Sequence, residues 1–280
     1  MQVIYKNSSL QSELLKVSKT KSIGFIPTMG ALHQGHLSLF KRARKENEII
    51  VVSIFVNPTQ FDNKDDLKKY PKTLKQDLEL LKNVPCDFVF VPSAQEIYNN
   101  NIVSAHYNFG GLENVMEGEH RKGHFDGVGT IVKKLFEVVQ PNKAYFGEKD
   151  FQQLQIIRKL VKMNSMPIQI IGCEIHREKD GLAMSSRNTR LTKLHRELAP
   201  FIYKTLQKAK GKFLKNSITE VKTWLENEFR IYPDLKLEYF EIANEKTLKS
   251  AKRKRVNSKY RGFIAVFAGN VRLIDNIRLN

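Results

Sequence analysis

Residues 23–39 read IGFIPTMGALHQGHLSL, and this stretch decides the fold. Ile23-Gly24-Phe25-Ile26 is a short apolar run with the character of a buried parallel strand. Pro27, Gly30 and Gly35 break the pattern, and a helical period resumes at Leu37, Leu39 and Phe40. Strand, glycine-containing turn and helix in that order put backbone N–H groups and a helix dipole at the strand's carboxyl end. Open α/β sheets hold anions there. His33 and His36 stand three residues apart on one face of the opening turn. Imidazoles in that place donate hydrogen bonds to phosphate oxygens and to charge developing on them.

A single histidine at a helix start reads as an ordinary cap. H-x-G-H after P-T-M-G, directly behind a strand, has instead the context of a nucleotide-binding motif. It resembles the HIGH-type signature of the nucleotidyltransferase superfamily, whose members bind ATP and direct attack to its α-phosphate.

Working outward, Leu10, Leu14, Leu15 and Val17 predict a first helix over residues 10–19, and a second follows the central turn over 37–46. Residues 49–56, IIVVSIFV, form a near-continuous β-branched run typical of a strand buried on both faces. A helix over 74–81 and a strand over 88–91 come next. A helix over 128–139, a strand over 144–146, a helix carrying Leu154, Ile157, Leu160 and Val161, and a strand over 168–171 continue the alternation. This predicts a right-handed, doubly wound parallel sheet of Rossmann-like type. Beyond it the pattern changes to helices over 192–209 and 217–228, the second opened by a Ser217–Glu220 capping box, and strands over 237–242 and 263–267. The expected division is a domain over 1–175 that binds the ligands and a smaller α+β lid domain over 176–280.

The 280 residues are enough for a sizeable core, and 41% hydrophobic with 27% charged residues is an ordinary globular balance. No apolar run reaches the ~18 residues of a membrane span, and no signal-peptide core precedes the first helix. Cys86 and Cys173 stand apart, which predicts free thiols, no structural zinc and a cytoplasmic setting. A formal charge of +18 favours polyanions. The lysines are nevertheless spread along the chain, and the one dense run, KSAKRKR at 249–255, lacks interleaved aromatics and reads as a solvated loop rather than a nucleic-acid patch.

Four loops leave strand ends on the sheet's carboxyl edge: 29–36, 57–61, 147–153 and 184–187. Lys149 or Arg187 alone is an ordinary surface cation, and Gln60 or Gln153 alone an ordinary polar residue. Together they supply phosphate donors, two cations and two neutral amides, a set suited to a triphosphate and a small hydroxylated substrate. PTMGALHQGH, SIFVNPTQF, GHFDGV, YFGEKDFQQL and DGLAMSSRN, in this order and spacing, resemble the pantoate–β-alanine ligase family, and RLIDN at 272–276 extends the likeness to the end of the chain.

The resemblance implies ATP-dependent joining of pantoate to β-alanine through an acyl adenylate, with Mg²⁺, in a homodimer. Neither nucleic acid nor membrane is an implied partner. It implies ATP contacts at Met29, Gly30, Ala31, Leu32, His33, Gln34, Gly35 and His36, then at Gly147, Glu148, Lys149 and Asp150, and finally at His176, Met184, Ser185, Ser186 and Arg187. His36 takes the family's catalytic position, with His33, Lys149 and Arg187 acting on the phosphates. Gln60 is expected at pantoate and β-alanine, and Gln153 at pantoate. No residue is assigned to the metal, and Asp77 reads as a helix-surface residue ahead of the other reading, a carboxylate on the metal side. Arg121 and His124 either face the substrate pocket or serve structure. His176 and Lys122 depart from the family's usual apolar residue and proline. A nucleotidyl transfer enzyme that stops after transfer, or a nucleic-acid-binding protein, are the alternatives.

Overall fold

The computed structural model describes residues 1–280 apart from Lys19 and Asn100. Lys19, the last residue of the expected first helix, lies outside the described residues; that helix runs Asn7–Val17. The chain divides into two compact units, Met1–Glu148 with Gln152–Glu174, and Lys149–Phe151 with Ile175–Asn280.

In the first unit, six strands among the described residues form one parallel sheet. They are β1 (Gln2–Ile4), β2 (Ile23–Thr28), β3 (Ile49–Ile54), β4 (Phe88–Phe90), β5 (Lys143–Gly147) and β6 (Gln169–Cys173), in the order β1-β4-β3-β2-β5-β6. The chain leaves β2 for β3 on one side and later returns to lay β5 on the other. That reversal is the switch point beyond which such sheets bind ligands.

Alternation along β2 serves two helices at once. Phe25 meets Phe136 of the helix His124–Val139 edge-on at 6.2 Å, while Ile26 packs with Leu37 and Phe40 of the helix Gln34–Glu46. Full burial of each such side chain contributes about 1.5–3 kcal/mol. A one-residue slip would exchange the two faces, so the register of β2, and with it the turn at its end, is firmly set.

In the second unit, β7 (Leu235–Asn244), β8 (Tyr260–Ala268) and β9 (Val271–Arg278) form an antiparallel sheet. The helices Phe201–Lys215 and Ile218–Arg230 cover it through a core that includes Leu206, Phe213, Val221, Leu225 and Ile264. The Ser217–Glu220 capping box is formed reciprocally, at 2.7 and 3.2 Å.

Several elements differ from the sequence reading. The single helix expected over 192–209 is two, Lys193–Leu198 and Phe201–Lys215, because Pro200 lacks the N–H that would continue the first. The helix expected from residue 128 begins at His124, behind Gly123 at φ +77°. The three-residue edge strand β1 and the strand β9, which contains RLIDN, were not anticipated as strands. Both cysteines are free and buried. Residues 252–257 of the basic run and its flank are exposed. Among the described residues no helix is long and apolar enough to cross a membrane.

Candidate active site

The first group of expected residues is the turn at the end of β2. Thr28 donates its hydroxyl to the Ser53 carbonyl at 2.7 Å and accepts the Gly30 N–H at 3.2 Å. Gly30 and Ala31 then adopt φ of +79° and +49°. Glycine bears this conformation freely, whereas alanine there costs on the order of 1 kcal/mol or more. Asp77, from the helix Leu74–Lys82, offsets that cost. Its carboxylate accepts the Ala31 N–H at 2.9 Å and the Leu32 N–H at 2.8 Å, and the Thr73 hydroxyl donates to it. Asp77 is buried, so the expectation of a helix-surface residue is corrected.

His33 is the N-cap of the helix Gln34–Glu46, and the two histidines form a capping box between themselves. His33 Nδ1 accepts the Gly35 N–H at 3.1 Å, and His36 Nδ1 accepts the His33 N–H at 3.3 Å, with ring centroids 4.1 Å apart. An Nδ1 that accepts carries no proton, so each neutral ring is the Nε2–H tautomer. Both imidazoles therefore carry an N–H donor at Nε2. The first turn of this helix carries no acidic residue, so no side chain of its own offsets the positive end of the dipole.

Gln60 ends the short 3₁₀ turn Pro58–Gln60 behind β3. Buried Asn57 donates to Gln60 Oε1 at 3.1 Å and to the Gly127 carbonyl at 3.2 Å, and Asn57 Oδ1 accepts from the Tyr98 hydroxyl at 2.5 Å. With its oxygen held, Gln60 turns Nε2 to Met29 Sδ at 3.2 Å, joining two of the expected motifs. The Gln60 carbonyl is also taken. His124 Nδ1 donates to it at 2.7 Å and Arg121 at 3.3 Å. A carbonyl only accepts, so His124 is protonated at Nδ1, and its Nε2 accepts from Arg121 at 3.1 Å. Burial first, then the Arg121 charge, push the His124 imidazole down to about 4. Arg121 also pairs with Asp62 and Glu117. Of the two readings left open for Arg121 and His124, the geometry supplies the structural one: they hold the backbone of Gln60.

The two adjacent glutamines behind β5 differ sharply. Gln152 is buried and binds the Glu117 N–H and the Leu112 and Val115 carbonyls, organising the loop before the helix Glu117–His120. Gln153 is half-buried and makes no side-chain hydrogen bond to the described residues, which leaves its amide for a ligand. Gly147 ends β5, and Glu148 follows it in the same unit.

The remaining expected residues belong to the second unit. Lys149 and Asp150 lie in the 3₁₀ turn Glu148–Asp150, with Lys149 Nζ 3.6 Å from Asp150 Oδ1. His176 and Met184 are joined by a backbone hydrogen bond of 3.0 Å, and Arg177 bridges to Ala183, so residues 176–184 form a hairpin. Ser185 caps the 3₁₀ turn Ser186–Arg190, accepting the Arg187 N–H at 3.3 Å. Sequence reasoning missed the residues that hold this hairpin: Arg177 makes a two-pronged ion pair with buried Asp275 at 2.7 and 3.0 Å, and its guanidinium lies over the Tyr203 ring at 3.5 Å.

A parallel α/β sheet with a histidine-capped helix at the end of its switch-point strand defines a protein of the HIGH-motif class. The profile of one family, pantoate-beta-alanine ligase, matches residues 2–278. The chain is 54% identical to a pantothenate synthetase of Christiangramia forsetii over the whole of both chains, and 56% identical to that of Flavobacterium psychrophilum over 92% of each. Among solved structures it resembles pantothenate synthetase from Thermus thermophilus, with a TM-score of 0.92 at 37% identity, covering 100% of this chain and 99% of that one. It also resembles the Francisella tularensis ligase complexed with β-γ ATP and β-alanine, with a TM-score of 0.84 at 37% identity over 100% and 98% of the two chains. The chain belongs to the pantoate–β-alanine ligase family.

Proposed function

We propose that this protein condenses (R)-pantoate with β-alanine in two steps. A carboxylate oxygen of pantoate attacks the α-phosphorus of ATP. The bond to the bridging oxygen breaks, and pyrophosphate leaves with its electron pair. The β-alanine amine then attacks the acyl carbon of pantoyl adenylate, AMP leaves, and the amine proton is lost to solvent or base as the amide forms. The observation that carries this reading is the pair of Nε2–H imidazoles at the start of the helix Gln34–Glu46, joined through Met29 to Gln60.

The first step concentrates negative charge on the α-phosphate. Donors already fixed by their own Nδ1 contacts stabilise it without reorganising, which is the efficient form of electrostatic catalysis. His36 and His33 have that role, with Met29 to His36 as the turn that receives ATP. Gly147, Glu148, Lys149 and Asp150, and His176 with Met184, Ser185, Ser186 and Arg187, hold the nucleotide, Lys149 and Arg187 as its phosphate cations. Gln60 and Gln153 bind pantoate's hydroxyls and carboxylate, and Gln60 also serves β-alanine. The C-terminal unit acts as a lid that keeps water from the adenylate.

Mg²⁺ would be held by the ATP phosphates, and no residue is assigned to it. Among the described residues no three His, Cys, Asp or Glu side chains are grouped to hold an ion, and Asp77 commits its oxygens to N–H and hydroxyl donors. When bound, the ion neutralises phosphate charge. The enzyme is further proposed to be a cytoplasmic homodimer. The test is to incubate it with ATP, Mg²⁺, pantoate and β-alanine, omitting each in turn, and to follow AMP and pantothenate. Both products together, only with all components, are expected. Pyrophosphate release with some other acid, indifferent to β-alanine, overturns the reading.

A further inference from the structure

Strand β9 carries two consecutive buried polar residues, Asp275 and Asn276. Neighbours along a strand point to opposite faces, so the two serve different partners. A buried amide or carboxylate is costly unless its hydrogen bonds are made. Asp275 is answered by Arg177. Asn276 Oδ1 accepts from Arg261 at 2.5 Å, and its Nδ2 donates to the backbone carbonyl of Lys149 at 2.9 Å.

Arg261 decides which way that amide faces. A guanidinium has only donors, so the Asn276 oxygen must turn to it and the NH₂ group to Lys149. Arg261 is itself buried, bound to Glu245 at 3.0 and 2.6 Å, and its guanidinium lies over the Phe151 ring at 3.9 Å. Phe151 packs on Phe263, the residue paired with Asn276 in the β8–β9 register, at 6.0 Å. Backbone and ring of residues 149–151 are thus gripped from β8 and β9. This accounts for the membership of Lys149–Phe151 in the second unit although their neighbours in sequence belong to the first.

We infer that Asn276 is the positioning residue for Lys149: its amide, oriented by Arg261, fixes the turn that presents the Lys149 cation to the ATP phosphates. This rests on the nucleotide role proposed above for Lys149. One strand then sets both cationic segments of the second unit, Asn276 holding Lys149 and Asp275 holding, through Arg177, the hairpin that leads to Arg187.

The test is a double-mutant cycle read by equilibrium binding of MgATP and by steady-state kinetics on the full-length enzyme. Asn276→Asp keeps the shape and the Arg261 partner but turns a carboxylate oxygen toward the Lys149 carbonyl. Asn276→Ala removes the donor without adding charge. Both are expected to weaken MgATP binding, Asn276→Asp by roughly tenfold, the scale of one misplaced polar contact, with the KM for pantoate moving less than twofold. In a Lys149→Ala background the same substitutions should add less than twofold. Unchanged MgATP binding in Asn276→Asp overturns the inference, as does an equal loss with and without Lys149, which a merely structural asparagine would give. Wild-type enzyme that binds MgATP but makes no pantothenate defeats the ligase reading and leaves the cycle to decide the role of Asn276. Failure to bind MgATP at all defeats both.

Discussion

Asp77 accepts the backbone N–H of Ala31, a residue in the left-handed region at φ +49°, at 2.9 Å. A helix side chain thereby stabilises a strained turn five residues ahead of the second histidine of the H-x-G-H motif. Asp77→Asn keeps one acceptor, but its NH₂ faces either the Ala31 or the Leu32 N–H, two donors against each other. The expected cost is about 2–3 kcal/mol, the scale of losing a charge-assisted hydrogen bond to a buried donor. Urea denaturation measures it. The KM for ATP should rise more than that for β-alanine, because the displaced turn is the one assigned to the nucleotide.

Gly127 lies in the first turn of the helix His124–Val139, where a Cβ would sit 2.2 Å from the Thr59 carbonyl oxygen and 2.6 Å from the Gln60 nitrogen. Both obstacles are backbone, which cannot swing aside. Gly127→Ala must therefore push the Pro58–Gln60 turn away from the helix, stretching the Asn57 and His124 contacts that orient Gln60. The expected result is a stable protein, lowered by about 1–3 kcal/mol, whose KM values for pantoate and β-alanine rise at least several-fold while ATP binding changes little. Equal effects on all three substrates would refute this path.

His124 makes stability depend on pH. Its imidazole is held at about 4 in the folded protein against an ordinary 6.5, by burial and by Arg121, with Glu117 and Asp62 opposing. Between those values the unfolded chain binds the extra proton and the folded one does not, so stability is full above about 6.5 and falls as the pH drops toward 4. The whole step is on the order of 3 kcal/mol. His124→Asn retains a donor for the Gln60 carbonyl and removes the titrating group. The difference between the two unfolding curves over this pH range should show the fall; parallel curves would exclude it.

The fold was legible wherever burial imposed a simple period. The β-branched run of β3 and the strand–turn–helix at β2 announce a parallel sheet because both faces of those strands are covered. The paired histidines and Gln60 were legible through motif order. Asp77 was not, although a signal existed: it falls on the Leu74, Leu78, Leu81 stripe of its helix, so helical period alone turns it inward. Gln152 and Gln153 are the same residue side by side, and only the ~100° step around the helix, referred to a neighbouring loop, separates scaffold from candidate ligand contact. RLIDN marked Asp275 and Asn276 only as part of a family likeness, and nothing local gave their roles, since their partners lie at Arg177 and Lys149, 98 and 127 residues away.

The tautomer of His36 allows its two ring nitrogens to be tested apart. Nδ1 accepts the His33 N–H and so builds the helix start, while Nε2–H is the donor assigned to the α-phosphate. The Oδ1 of an asparagine overlies Nδ1, and the Nε2 of a glutamine overlies the far ring nitrogen. His36→Asn should therefore keep the capping contact and the wild-type melting temperature, yet slow adenylate formation by about 10²–10³, the usual loss on removing one fixed donor from a developing oxyanion. His36→Gln should do the reverse, losing about 0.5–2 kcal/mol of cap stability while retaining more activity than His36→Asn. Single-turnover release of pyrophosphate, measured beside thermal unfolding, separates the two. If His36→Asn proves the more active variant, the donor role of Nε2 is wrong and His36 acts by shaping the turn.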